Sequence, residues 1–335
     1  MRKLNWFTEA CVISLLWAAT AAALPAQTFT TLHNFDGTHG SLPFAGLVQG
    51  ADGNLYGTTE FGGVYGEGTV FKITSDGTLA TLYSFCSQGG CADGAYPDAG
   101  LVQATDGDFY GTAYHGGANS ACNQGCGTVF KITPSGVLTT IYSFCSQSNC
   151  TDGTEPVAGL VQGADGNFFG TTAGGGGNSN PHCLFTFSES CGTAFKITPS
   201  GKLTTLYRFC SQSNCLDGAD PQAGLIQGTD GNLYGTTSLG GANAAKCSGI
   251  GCGTIFKISP AGTLTILYSF CSKNSCRDGE KSESALVQGA DGNLYGTTDN
   301  GGISNSKYCP FIPTCGTVFR ISPSGMLTTL YRFCS

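Results

Sequence analysis

Five tandem copies of one segment constrain this 335-residue chain more than any other feature. The first copy reads Gly46-Leu47-Val48-Gln49, then Asp52-Gly53-Asn54-Leu55-Tyr56-Gly57-Thr58-Thr59, then Gly68-Thr69-Val70-Phe71-Lys72-Ile73, then Leu79-Ala80-Thr81-Leu82-Tyr83-Ser84-Phe85. Its aromatic anchor Tyr56 returns as Tyr110, Phe169, Tyr234 and Tyr295, at intervals of 54, 59, 65 and 61 residues. Each copy holds four short runs of Val, Ile, Leu, Thr, Tyr and Phe, the residues that favour strands. Turn chemistry separates them. The first turn carries Asp52-Gly53-Asn54 and its counterparts at Asp106, Asp165, Asp230 and Asp291, and the third carries Asp76-Gly77 or Pro-Ser-Gly, as at Pro134-Ser135-Gly136. Glycine there supplies the positive φ that a tight hairpin needs. Each copy is therefore expected to be a four-stranded antiparallel meander.

Tandem four-stranded units of this length fit the blades of a β-propeller, which run to about 40–50 residues plus loops. A parallel β-helix would show shorter rungs, and a β-sandwich would not repeat its own sequence. Composition agrees with an all-β chain: 52 glycines, and only 11% charged residues where helices would want Glu and Lys in quantity. Tyr56 and its counterparts are expected to fill the core between blades. Gly57, Gly111, Gly170, Gly235 and Gly296, each following that aromatic, are expected to mark close approach of backbone.

The two ends are out of phase with the repeat. Met1-Arg2-Lys3, the apolar stretch Ala10 to Ala23 and the small residues Ala21 to Ala26 have the charged, apolar and cleavage-site order of a secretory signal peptide, with a retained anchor as the alternative. Residues 1–26 are read as that signal and 27–335 as one propeller domain, with blades over about 44–85, 99–144, 157–209, 222–270 and 284–333. Thr28 to Phe35 resembles a fourth strand, so one extra N-terminal strand is expected; the ring then has five blades with a surplus strand, or the chain stops inside a sixth. No later stretch offers the ~18 apolar residues of a membrane span. A secreted, periplasmic or cell-surface location follows.

Eighteen cysteines fit that location. Apart from Cys11 and Cys334, they form eight close pairs. Cys86/Cys91, Cys145/Cys150, Cys210/Cys215 and Cys271/Cys276 follow the fourth strand, and Cys122/Cys126, Cys183/Cys191, Cys247/Cys252 and Cys309/Cys315 lie between strands two and three. In an up-and-down meander the loop entering a blade and the loop after its second strand emerge on one face. Blades two to five carry a pair in both and blade one in neither, so cross-loop disulfides within sets such as Cys86, Cys91, Cys122 and Cys126 are expected over local rings. Four cysteines allow three connectivities. Zinc is the rival reading, but the Cys183/Cys191 spacing is too wide for a structural zinc site, and no cofactor is expected. Cys334 is left as a free thiol or an intermolecular link.

Catalysis in a repeat fold needs residues that break the repeat. After strand two the copies read Glu60, Tyr114, Ala173, Ser238 and Asp299, with His115 beside Tyr114. Glu60, His115 and Asp299 are the one candidate metal or acid–base set, against a plain reading as solvated loop residues. His33, His39 and His182 have no such support. Gln49, Gln103, Gln162, Gln227 and Gln288 end the innermost strand, either lining the axis or bonding the following turn. Lys72, Lys131, Lys196, Lys257 and Arg320 recur in strand three, as a basic ring or a solvated edge. A net charge of −7 argues against nucleic acid as a partner; the partner is left open, with a glycan or a protein as the candidates.

The run Asp-Gly-Asn-Leu-Tyr-Gly-Thr-Thr, then Gly-Thr-Val-Phe-Lys-Ile-Thr, then Gly-Thr-Leu-Thr-Thr-Leu-Tyr-Ser-Phe resembles the tandem repeat of exported bacterial proteins termed GloVer-containing, for Gloeobacter and Verrucomicrobia. The resemblance spans the mature chain and implies an exported or surface protein of unassigned activity. Asp52-Gly53-Asn54-Leu55-Tyr56 is more loosely similar to the repeat of virginiamycin B lyase and related propellers, which implies a metal-assisted lyase with His and Glu near the axis. Near-identical blades favour a non-enzymatic binding or surface-interaction protein, with a propeller-type lyase or hydrolase as the alternative.

Overall fold

The computed structural model describes residues 29–177, 191–302 and 315–333. Phe35–Ser335 forms one compact unit. It contains five antiparallel four-stranded sheets, each ordered as in the sequence. The strands are β1–β4 (Val48–Gln49, Leu55–Thr59, Thr69–Ile73, Leu79–Ser84), β5–β8 (Val102–Gln103, Phe109–Ala113, Thr128–Ile132, Leu138–Ser143) and β9–β12 (Val161–Gln162, Phe168–Thr172, Thr193–Ile197, Leu203–Arg208). They continue with β13–β16 (Ile226–Gln227, Leu233–Thr237, Thr254–Ile258, Leu264–Ser269) and β17–β20 (Val287–Gln288, Leu294–Thr298, Thr317–Ile321, Leu327–Arg332). The chain is an all-β propeller of five blades. In every blade the outer pair slips register at one point, between Val70 and Phe71 in the first, which adds twist to the outer edge.

Four blade junctions repeat one set of contacts. The second-strand aromatic is buried against the next blade: Tyr56 stacks on Phe109 and Tyr110 on Phe168, both with ring centroids at 4.1 Å, while Phe169 and Tyr234 share core clusters with Leu233 and Leu294. The phenylalanine closing the fourth strand meets the third-strand phenylalanine of the next blade edge-on, as Phe144 meets Phe195 at 5.3 Å. A threonine hydroxyl donates across the inner wall, Thr58 to the Ala99 carbonyl and Thr112 to the Ala158 carbonyl. The recurring glutamines are clamps: the Gln103 side chain donates to the Gly107 carbonyl in its own turn and accepts from the Ala51 N–H of the previous blade at 2.9 Å. Two of the strand-three cations bind their own turn, Lys131 to Asp108 and Lys196 to Asp165. The glutamine row is thus structural.

The expected role of Gly57 and its counterparts changes in detail. A Cβ on Gly111 would sit 2.6 Å from the Phe130 ring and 2.9 Å from Leu101. The glycine makes room for side chains of its own blade, not for the backbone of its neighbour. Backbone does close in nearer the axis, where a Cβ on Gly159 would lie 3.0 Å from the Gly100 carbonyl oxygen.

Blade five and blade one do not share this set: no equivalent hydrogen bond or ring stack joins them among the described residues. Leu47 is 48% exposed, whereas its counterparts Leu101, Leu160, Leu225 and Leu286 are at most 8% exposed. The expected extra strand is not formed, since residues 29–35 pair in no sheet. One of its side chains nonetheless does the repeat's work: Phe35 packs edge-on against Phe71 at 5.0 Å, as Phe144 does on Phe195. The proposed signal, residues 1–26, lies outside the described residues.

The disulfides correct the cross-loop expectation. Cys86–Cys91, Cys122–Cys126, Cys145–Cys150, Cys210–Cys215, Cys247–Cys252 and Cys271–Cys276 are all local. Cys191 and Cys315 are also disulfide-bonded, while Cys183, Cys309, Cys11 and Cys334 lie outside the described residues. The physical reason is backbone. Cys145 and Cys150 both take positive φ, curling the loop until their Cα atoms are 4.1 Å apart, and the other pairs that follow a fourth strand do the same. A fully buried aspartate fixes each such loop. Asp152 accepts from the Tyr142 and Ser146 hydroxyls and from the Ser146 and Gln147 N–H groups, and Asp93, Asp217 and Asp278 repeat the arrangement. Each loop between strands two and three lies against the loop leaving its own blade: the sulfurs of Cys122, Cys126 and Cys150 sit within 4.8 Å of one another.

Candidate functional site

Two loops emerge at the same end of each blade and are tied by a short bridge, such as Ala95 with His115 or Ala219 with Leu239. Within that tie one residue per blade adopts the left-handed conformation: Leu42, Tyr96, Glu155, Asp220 and Lys281, with φ between 54° and 59°. Its carbonyl accepts from the N–H of Glu60, Tyr114, Ala173, Ser238 and Asp299 in turn, at 2.8–3.1 Å. From the second blade on, its own N–H is held too, as Glu155 N–H donates to the Cys126 carbonyl. Glycine would take this conformation at no steric cost, and non-glycine residues held in it cluster at functional sites. The repeat instead keeps the backbone and varies the side chain.

These side chains gather at the axial mouth. Tyr114 has its phenol pushed well above the ordinary value, by burial first and then by the charges of Glu155, Asp98 and Asp220, so carboxylates from three blades face one ring. Burial, then Glu60, raises the Asp98 carboxyl to about 7. Burial also raises Asp220, which is 5% exposed. Its Oδ2 accepts from the Ser238 hydroxyl at 2.6 Å and from Gln222 Nε2 at 2.8 Å, while its buried Oδ1 has no partner. At the rim of blade five, Glu283 is raised by desolvation and then by Asp299 and Asp220, with Lys281 opposing. The opposite end of the blades repeats: every turn carries an aspartate, which accepts from Tyr56, Tyr110, Tyr234 or Tyr295 in four blades and, as Asp165, from Lys196 in the third.

Of the three residues singled out in the sequence, Glu60 and Asp299 occupy equivalent rungs of this mouth. His115 does not join them. It packs against the rings of Tyr114 and Tyr96, and burial lowers its pKa while the Gly125 backbone and Glu67 oppose that shift. Beside it, a groove of about 720 Å³ between the blade-two loops is lined by Glu67, Tyr96, Asn119 and Gln124. Asp98, Glu155, Asp220 and Glu283 escaped the sequence reading. The signal for Glu155 and Asp220 was present, as a variable residue at a fixed offset from a recurring Asp-Gly: Asp93-Gly94-Ala95-Tyr96, Asp152-Gly153-Thr154-Glu155, Asp217-Gly218-Ala219-Asp220.

The profile of the Gloeobacter/Verrucomicrobia repeat matches residues 21–191 and 188–335. No curated protein matches the sequence. Similar solved structures include the periplasmic gluconolactonase PpgL of Pseudomonas aeruginosa, at 18% identity and a TM-score of 0.47 over 87% of this chain and 71% of that one. A luciferin-regenerating enzyme gives 13%, 0.47, 85% and 79%, and a puromycin-hydrolyzing peptidase of Mycobacterium tuberculosis 11%, 0.46, 85% and 37%. Likenesses this distant carry nothing about activity.

Proposed function

The chain belongs to the Gloeobacter/Verrucomicrobia repeat family, and from that premise we propose that it is an exported, non-enzymatic binding protein whose ligand seats at the loop-bearing mouth of the propeller. One observation carries the reading: side-chain variety is concentrated at five backbone-equivalent, left-handed positions on one end, while the other end repeats. A structural scaffold has no need to hold Tyr96, Glu155, Asp220 and Lys281 where glycine is easier. The formed disulfides fit an oxidising compartment, and among the described residues no helix is long and apolar enough to cross a membrane. Export is read from residues 1–26.

The test is a binding screen of glycans, peptides and small polar ligands by thermal shift, followed by turnover assays on every hit. Stabilisation that is lost in Glu155→Gln or Asp220→Asn and retained in Asp291→Asn, without turnover, supports the reading. Turnover of a bound ligand, lost on Asp98→Asn, overturns it in favour of a propeller-type lyase or hydrolase. That alternative draws on one observation, the carboxyl pair Glu60 and Asp98 with Asp98 held near neutrality, the setting of a general acid.

A further inference from the structure

We infer that the mouth takes an organic polycation, a ligand carrying two or more ammonium or guanidinium groups, with one of those groups against Asp220 Oδ1. This rests on the reading of the mouth as a binding site and names its ligand class. The anchoring observation is a buried acceptor without a donor. Asp220 is 5% exposed, its Oδ2 is taken by Ser238 and Gln222, and its Oδ1 has no partner, although a buried carboxylate oxygen left unpaired is costly. A ligand N–H would satisfy it.

The surroundings fix the sign and the spread of charge. Glu60, Asp98, Glu155, Glu283 and Asp299 stand with Asp220 at this end, and Lys281 is the cation among them. Burial disfavours the ionised forms of Glu60, Asp98, Asp220 and Glu283, which an incoming cation restores with release of protons. A metal ion fits poorly. A hard cation such as Ca²⁺ gathers oxygens at 2.3–2.6 Å, hence within about 5 Å of each other. Among the described residues, the groups of three or more candidate ligand atoms lying within 4.8 Å of one another all centre on cysteine sulfurs, and none is formed by the mouth carboxylates. Carboxylates spread over five blades match separated charges on a chain. Tyr114 stands among these carboxylates, and an aromatic ring attracts ammonium and guanidinium groups.

The experiment is titration calorimetry of the intact oxidised protein with spermidine, tri-arginine, fully N-acetylated spermidine and CaCl₂, each in two buffers of different ionisation enthalpy. Expected are binding of spermidine, tri-arginine or both, with proton release, at least tenfold weakening by Asp220→Asn, and no change in Asp291→Asn, which removes a charge from the opposite end. Which of the two binds separates a free polyamine from a basic peptide. The inference is overturned if neither binds, if folded Asp220→Asn binds as well as the parent, if Asp291→Asn weakens binding equally, or if CaCl₂ binds in the Asp220-dependent manner. Binding of a neutral glycan at the mouth would sink the polycation and spare the proposed function; turnover would sink the latter.

Discussion

Replacing Asp98 by asparagine turns the mouth's electrostatics into a stability measurement. In the folded protein this carboxyl stands at about 7, raised from 3.8 by burial first and by Glu60 second. The folded state therefore holds a proton between pH ~4 and ~7 that the unfolded chain has released, so the group's contribution to stability is present below pH ~4 and is lost as pH rises through 7. The full shift of about three units, at 1.36 kcal/mol each, bounds the loss at about 4 kcal/mol, and screening by solvent at the mouth brings the expectation to about 2 kcal/mol. Asparagine has nearly the same shape and never ionises. Asp98→Asn should thus stabilise the protein by about 2 kcal/mol at pH 8 and by little at pH 4. Urea unfolding followed by circular dichroism at the two pH values, with disulfides kept oxidised, reads the difference directly. An equal effect at both would refute the reasoning, because it would make Asp98 a packing residue and not a charge held against its neighbours.

Three further outcomes follow from the framework. Phe144→Ala removes a fully buried ring between blades two and three and should cost about 3–5 kcal/mol in the same assay. Asp152→Ala strips the acceptor from four hydrogen bonds and should expose the Cys145–Cys150 loop to faster amide exchange than the unaltered Cys210–Cys215 loop of the same molecule. Peptide mapping without reduction should return Cys145 linked to Cys150 and Cys122 linked to Cys126; peptides joining the two loops would contradict the local pairing.

The blades were legible because hairpin turns and strand formers recur in register, and Tyr56 was readable as core because a repeated aromatic has no other economical place. Loop placement was legible too, since meander topology puts the entry loop and the loop after strand two on one face. Pairing within those loops was not, because it depends on positive φ at Cys145 and Cys150, which spacing does not encode. The mouth was half legible. Glu60 and Asp299 stand beside strand two, where the repeat visibly breaks, whereas Asp220 and Glu155 sit at a left-handed position whose residue type changes from blade to blade. His115 looked chemical beside Tyr114, but its ring packs between those of Tyr114 and Tyr96 instead of joining Glu60 and Asp299.

The most direct test of a binding mouth is a crystal structure of the oxidised protein with spermidine or tri-arginine at saturating concentration. The account predicts ligand nitrogen within hydrogen-bond distance of Asp220 Oδ1, with the rest of the chain running past Tyr114 toward Asp98. Ligand seated instead on the repeated aspartate turns at Asp52, Asp106 and Asp230, or an unchanged Asp220 with no ligand at the mouth, would contradict it.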